Sequence, residues 1–138
     1  MFVLDTHVWV WGTEERDRRI GPRTRRILAR AESQGLIRLS PASLFEVTAL
    51  HVAGHLHLAR PVAQWLHDAL ERSAFRMAEV TDVIAIDAGY IPRTALPDPI
   101  DRFLVATARQ LDATFVTADR AILAYARGGH VRAHDASR

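Results

Sequence analysis

The sequence predicts an α/β fold in which a mainly parallel sheet is covered by helices on both faces. Short apolar runs alternate along the chain with longer segments whose apolar residues recur at helical spacing. Pairs of capping residue and proline, or a single glycine, mark where the longer segments start and stop. Parallel strands need crossover connections, and a helix between each pair of strands supplies them.

Taken in order, Phe2-Val3-Leu4 is an apolar run suited to a buried strand. Gly21-Pro22 opens a helix with proline at its first position, and Gly35 closes it. Leu36-Ile37-Arg38-Leu39 reads as the second strand. Ser40-Pro41 caps and starts a helix running to about Gly54. Pro61 begins another, with Trp65, Leu66 and Leu70 at helical spacing. Phe75 to Val80 is a candidate third strand, and Thr81 caps a helix ending near Gly89. Asp98-Pro99 starts the clearest helix, with Ile100, Phe103, Leu104 and Leu111 on its apolar face. Thr114-Phe115-Val116-Thr117 is the fourth strand, Ala121 to Tyr125 a short helix, and Val131 lies in a candidate edge strand.

Composition bounds the chemistry. The 138 residues fit one compact domain spanning 1–138, and 49% hydrophobic residues suffice for a core. No apolar run approaches the ~18–20 residues of a membrane span. The opening Met1-Phe2-Val3-Leu4-Asp5 lacks the features of a secretory signal, so a cytoplasmic protein is expected. Without cysteine there is no thiol nucleophile, zinc–thiolate site or iron–sulfur cluster. All 18 basic residues are arginine, which excludes a P-loop lysine and Schiff-base chemistry. The net charge is +2, and the pI near 9.9 mostly reflects late-titrating arginine. Seven arginines crowd one stretch: Arg16, Arg18, Arg19, Arg23, Arg25, Arg26 and Arg30. That stretch is either a solvated helix face or a phosphate-contacting rim.

Ligands of open parallel sheets collect at the carboxyl ends of the strands, and four acids map there. Asp5 follows the first strand, and Asp119 lies just beyond the fourth. Glu46 falls in the second turn of the helix after the second strand, with Ser43 three residues earlier on the same face. Asp101 falls in the first turn of the helix opened by Asp98-Pro99. Singly, each has a plain structural explanation: Asp98 and Asp119 as caps, Asp101 as a first-turn charge, Glu46 as a surface residue, Asp5 as a turn former. Jointly they demand more, because carboxylates gathered in one pocket repel each other unless a cation neutralises them. An all-oxygen donor set suits Mg²⁺ or Mn²⁺. Such an ion can polarise a phosphoryl oxygen and generate hydroxide for in-line attack on a phosphodiester.

His51, His55 and His57 gather at a helix end, where imidazoles complement the dipole; no H-E-x-x-H pattern accompanies them. His7, two residues after the first acid, is a candidate substrate contact. Trp9, Trp11 and Trp65 read as core or interface anchors in preference to base-stacking platforms.

The opening F-V-L-D-T-H-V-W-V-W resembles the N-terminus of PIN-domain toxins of the VapC type. S-P-A-S-L-F-E-V resembles their second motif, L-P-D-P-I-D-R-F-L-V-A-T-A the third, and F-V-T-A-D the fourth. The resemblance spans nearly the whole chain and implies a PIN-like three-layer α/β/α architecture. It implies that Asp5, Glu46, Asp101 and Asp119 are the acidic quartet, with Asp5 and Asp101 as direct metal ligands and Glu46 and Asp119 completing the shell. It also implies supporting hydroxyls at Thr6, Ser43 and Thr117, an outer-shell role for Asp98, and Arg102 as partner of a carboxylate or of the scissile phosphate. His51 and His55 stand where relatives commonly carry lysine. A further implication is an Mg²⁺- or Mn²⁺-dependent endoribonuclease, the toxin of a type II toxin–antitoxin pair. Its partners would be a VapB-like antitoxin that enters the active-site groove, a second copy in a homodimer, and an RNA substrate. A single-stranded loop of tRNA or rRNA fits, because RNA sequence is read where bases are splayed.

Rival readings divide on single residues. A PIN nuclease of RNA processing or DNA repair would share the chemistry. A signalling receiver needs a lysine beside its acids, and the chain has none. A haloacid-dehalogenase-type phosphatase needs a second aspartate two residues after the first, where His7 stands. A non-catalytic binding module would have no reason to keep four acids together.

Overall fold

The computed structural model describes residues 1–13, 17–71 and 74–138. Arg16, one of the clustered arginines, lies outside the described residues. The elements run β1 (Phe2–Leu4), α1 (Thr6–Gly12), α2 (Pro22–Ser33), β2 (Ile37–Leu39), α3 (Pro41–Val52) and α4 (Val62–Glu71). They continue with β3 (Arg76–Met77), α5 (Asp82–Tyr90), α6 (Pro99–Gln110), β4 (Thr114–Thr117), α7 (Arg120–Arg127) and β5 (Ala133–Asp135). The sheet has five strands in the order β3-β2-β1-β4-β5, and every pairing is parallel. No helix among the described residues is long and apolar enough to cross a membrane.

Strand alternation sends side chains to two separate cores. Val3 and Phe115 belong to one, built with Ile84 and Ala88 of α5, Leu104, Val105 and Ala108 of α6, and Ile122 of α7. Leu4, Val116, Ile37 and Leu39 belong to the other, with Val8 and Trp9 of α1, Ala31 of α2 and Val47 of α3. Helices thus cover both faces, and the architecture is the expected α/β/α with a wholly parallel sheet.

The caps work as the sequence indicates. Ser40 Oγ accepts from the Ala42 N–H at 3.1 Å, Thr81 Oγ1 from Ile84 at 3.2 Å and Asp98 Oδ1 from Ile100 at 2.8 Å. Pro22, Pro41 and Pro99 occupy first-turn positions, where a missing N–H costs nothing. Gly35, at φ +64°, ends α2 in the left-handed region that favours glycine. Gly21 is required for another reason: a Cβ there would stand 2.2 Å from the Arg138 carbonyl group.

Three expectations are corrected, and one helix goes unread in the sequence. The third strand is only Arg76–Met77, not Phe75 to Val80. The edge strand is Ala133–Asp135, and Val131 packs in the core just before it. The last helix extends beyond Ala121–Tyr125 to Arg120–Arg127. The segment after Asp5 folds as α1, a helix that the alternating Val8-Trp9-Val10-Trp11 pattern conceals. Burial of Val8 and Trp9 in the core with Leu4, Leu39, Val47 and Val116 overrides that strand-like pattern.

Candidate active site

The strand order reverses at β1, which lies between β2 and β4, so the crevice for a ligand opens at the carboxyl ends of β1 and β4. The register brings Leu4 opposite Val116, and the Asp5 N–H donates to the Val116 carbonyl at 3.0 Å. Asp5 therefore meets Thr117 across the ladder. Its carboxylate is 3% exposed, and Thr117 Oγ1 donates to Asp5 Oδ2 at 2.6 Å. Asp5 occupies the N-cap position of α1 but makes no capping bond. The aspartates before α6 and α7 do cap: Asp98 binds the Ile100 N–H and Asp119 Oδ1 the Ile122 N–H at 3.0 Å. Asp5 is thus buried with one oxygen held by Thr117 and the other facing only His7 Nδ1 at 3.8 Å, an expensive placement for a carboxylate.

Three elements bring the other acids to the same rim. α3 presents Glu46, half-buried, with Oε1 sealed from solvent and without a hydrogen-bond partner. Beneath it, Thr6 Oγ1 donates to Ser43 Oγ at 2.8 Å, both residues being fully buried, which fixes the start of α1 against α3. α6 presents Asp101 one turn from its start, and the loop after β4 presents Asp119, whose N–H donates to Thr117 Oγ1 at 3.0 Å. Thr117 therefore ties two acids together, donating to one and accepting from the backbone of the other.

Titration behaviour reports the crowding. Burial, reinforced by Asp5, Asp98, Asp119 and Glu46, pushes the Asp101 carboxyl up to about 7. Burial likewise raises Glu46, with Asp5 and Asp98 adding to it and Thr6 and His7 opposing. Asp5, whose Oδ1 lies 3.8 Å from His7 Nδ1, raises that imidazole's pKa, assisted by Glu46 and Asp101. Asp101 thus feels the other three acids, although they are spread from position 5 to 119. Among the described residues, no three histidine, aspartate or glutamate side chains stand closed as a ligand shell.

The remaining candidates divide. Arg102 is half-buried, and its Nε is sealed from solvent with no acceptor. His51 Nδ1 lies 3.1 Å from the Leu56 carbonyl at the end of α3, a structural contact away from the acids. Two clefts of about 900 and 540 Å³ lie elsewhere, one beside β5 and α7, the other beside Trp9 and Trp65. None of the four acids lines either. Size is a weaker guide than chemistry here, and the acidic crevice alone combines convergent charge with perturbed carboxyl groups.

Comparison with known proteins identifies the family of this fold. Residues 2–128 match the family model of the PIN domain. The chain is 31% identical over 123 residues to Ribonuclease VapC22 of Mycobacterium tuberculosis, covering 86% of each. Its fold is similar to that in the crystal structure of VapBC2 from Rickettsia felis bound to a promoter DNA fragment, with TM-score 0.68 and 16% identity over 97% of both chains. It is also similar to FitAcB from Neisseria gonorrhoeae, with TM-score 0.66 and 21% identity over 98% of this chain and 97% of that one. The motifs, the sheet order and the relatives converge on one assignment: the chain belongs to the PIN-domain family.

Proposed function

We propose that residues 1–138 form a single PIN domain that hydrolyses RNA phosphodiester bonds endonucleolytically with Mg²⁺ or Mn²⁺, in the cytoplasm, as the toxin of a type II toxin–antitoxin pair. The observation that carries this reading is the convergence of Asp5, Glu46, Asp101 and Asp119 on one rim, with the Asp101 carboxyl pushed up to about 7. The RNA substrate and the toxin role rest on the likeness to Ribonuclease VapC22 and to the VapBC complexes.

The residues fit a hard dication. All donors are carboxylate oxygens, Asp5 is buried, and Glu46 Oε1 is a buried acceptor without a hydrogen-bond partner. Asp5 and Asp101 would hold the ion directly, with Glu46 and Asp119 completing the shell or orienting water. Such an ion, when bound, stabilises charge on the phosphoryl oxygens and lowers the pKa of a bound water.

The chain's own residues prepare that chemistry. Thr117 holds the Asp5 carboxylate in one orientation through the 2.6 Å bond. The Thr6–Ser43 bond locks α1 to α3, so that Asp5 and Glu46 keep their separation. Asp98 holds the first turn of α6, and with it Asp101, by capping the helix. Among the described residues Arg102 pairs with no carboxylate, and its unsatisfied Nε suits a substrate phosphate. His7, 60% exposed, contacts the strand next to the scissile bond.

A homodimer is part of the same proposal. α3 exposes Phe45 and Val52, and α5 exposes Val83, Ile86 and Tyr90, between 53% and 80%. These spacings put each set on one helix face. A VapB-like antitoxin would block the acidic crevice.

The test is incubation of the partner-free protein with total RNA in Mn²⁺, in EDTA, and as the Asp5→Asn variant. Discrete fragments that disappear in both controls are expected, and their mapped ends would identify a tRNA or rRNA loop. Cleavage that survives Asp5→Asn would remove the assignment of the site.

A further inference from the structure

Beside the acids lies a run of flat groups that the hydrolytic chemistry does not use. His7 and Trp11, four residues apart on α1, share one helix face. Their ring centroids are 6.0 Å apart. The Arg19 guanidinium carbon sits 4.4 Å from the centre of the Trp11 ring. The run starts at the site itself, since His7 Nδ1 is 3.8 Å from Asp5 Oδ1. It ends on one of the clustered arginines, so two sequence features with no part in hydrolysis meet here.

The three tryptophans are not equivalent. Trp9 is 1% exposed and packs on Trp65 at 5.2 Å, within the core beneath α1. Trp11 is half-buried and carries a cation on its ring. The flanking His7 and Arg19 side chains are 60% and 61% exposed. Arg19 is also held: its Nε lies 3.0 Å and its Nη2 2.5 Å from the Asp17 carboxylate. A two-point carboxylate contact fixes the plane of a guanidinium, so this flat face costs little entropy to use.

We propose that His7, Trp11 and Arg19 form a stacking surface for the bases of single-stranded RNA next to the scissile phosphate, an inference that rests on the nuclease reading. The acidic crevice repels a polyanion, so the strand must be held by something beside it. Base stacking on aromatic rings and guanidinium planes is indifferent to that repulsion and tolerates any base. The surface therefore positions a splayed base while the adjoining phosphodiester reaches Asp5.

The experiment uses the full chain, free of partner and in EDTA, with two fluorescein-labelled oligonucleotides of about a dozen units. One is oligoadenylate and the other an abasic ribose-phosphate of equal length. Wild-type protein is expected to bind oligoadenylate more tightly, with quenching of tryptophan emission. Trp11→Ala should weaken that binding about tenfold and leave abasic binding nearly unchanged. Trp11→Phe should recover most of the loss, and Arg19→Gln should narrow the preference without touching the α1 packing. The proposal is overturned if the wild type does not distinguish the two oligonucleotides. It is equally overturned if Trp11→Ala and Arg19→Gln both distinguish them as well as the wild type. A Trp11→Ala protein that keeps its RNA affinity but loses its antitoxin would assign this face to the protein partner instead. Cleavage by wild-type protein in Mn²⁺ is read separately: cleavage without base preference leaves the nuclease reading standing, and base preference without cleavage removes that reading alone.

Discussion

The Asp101→Asn substitution is expected to stabilise the metal-free protein while abolishing its activity. In the folded chain burial and four neighbouring carboxylates push Asp101 to about 7 from 3.8. Between those two values the folded state holds a proton that the unfolded state releases, so stability falls as pH rises through this window and stays lower above it. At full value the penalty at pH 8 would be about 4 kcal/mol, and solvent screening of this half-buried group reduces it to about 1–2 kcal/mol. Asparagine has nearly the same shape and cannot ionise, so it removes that penalty. Thermal unfolding in EDTA at about pH 8 should show a Tm roughly 3–8 °C higher for the variant. At about pH 5 the two proteins should lie closer together, because the folded wild type is then protonated. Added Mn²⁺ should raise the wild-type Tm at pH 8 and leave the variant almost unmoved, since binding to the folded state stabilises it. A variant less stable than wild type in EDTA at pH 8 would refute the argument that these carboxylates strain one another.

Other expectations follow from the same contacts. Thr117→Val keeps the volume but strips Asp5 of its donor; unfolding should show a loss of about 1–3 kcal/mol, with RNA cleavage falling further than Mn²⁺ affinity. Mn²⁺ affinity, followed by calorimetry, should weaken as pH drops through about 7, because the proton taken up by Asp101 competes with the ion. Asp87→Asn breaks the paired contact with Arg109 at 2.7 and 3.0 Å. It should cost about 1 kcal/mol in urea unfolding at neutral pH, with activity intact. Arg109 holds the Asp87 carboxyl below its usual range, so the wild-type advantage should be present above pH ~4 and disappear as acid titrates the folded group. Ile86→Asp should shift the elution of a dimer toward that of a monomer in size-exclusion chromatography without changing the circular dichroism spectrum.

Local chemistry made much of the fold legible. Ser40, Thr81, Asp98 and Asp119 each accept the N–H bonds of a first helical turn, and Gly35 adopts the positive φ that closes α2. Such signals act over a few residues and so survive in the bare sequence. The acid positions were legible for a similar reason, since Asp5 and Asp119 follow strands and Asp101 and Glu46 lie in the first two turns of capped helices. α1 was not, because Val8-Trp9-Val10-Trp11 alternates like a strand and only packing against the sheet and α3 decides the matter. With α1 hidden, the shared face of His7 and Trp11 was hidden too, and Trp11 looked no different from Trp9.

By itself the sequence determined the alternation of strands and helices apart from α1, the capping, the four candidate acids and the exclusion of thiol and lysine chemistry. Only the tertiary structure decided how the charges interact. The order β3-β2-β1-β4-β5 sets Asp5 against Thr117 and brings acids from four segments within reach of one another. Coulomb repulsion and desolvation depend on distance in space and on burial, neither of which is written in local sequence. The raised Asp101 carboxyl, the orphaned Glu46 oxygen and the cation over Trp11 therefore exist only once the chain has folded.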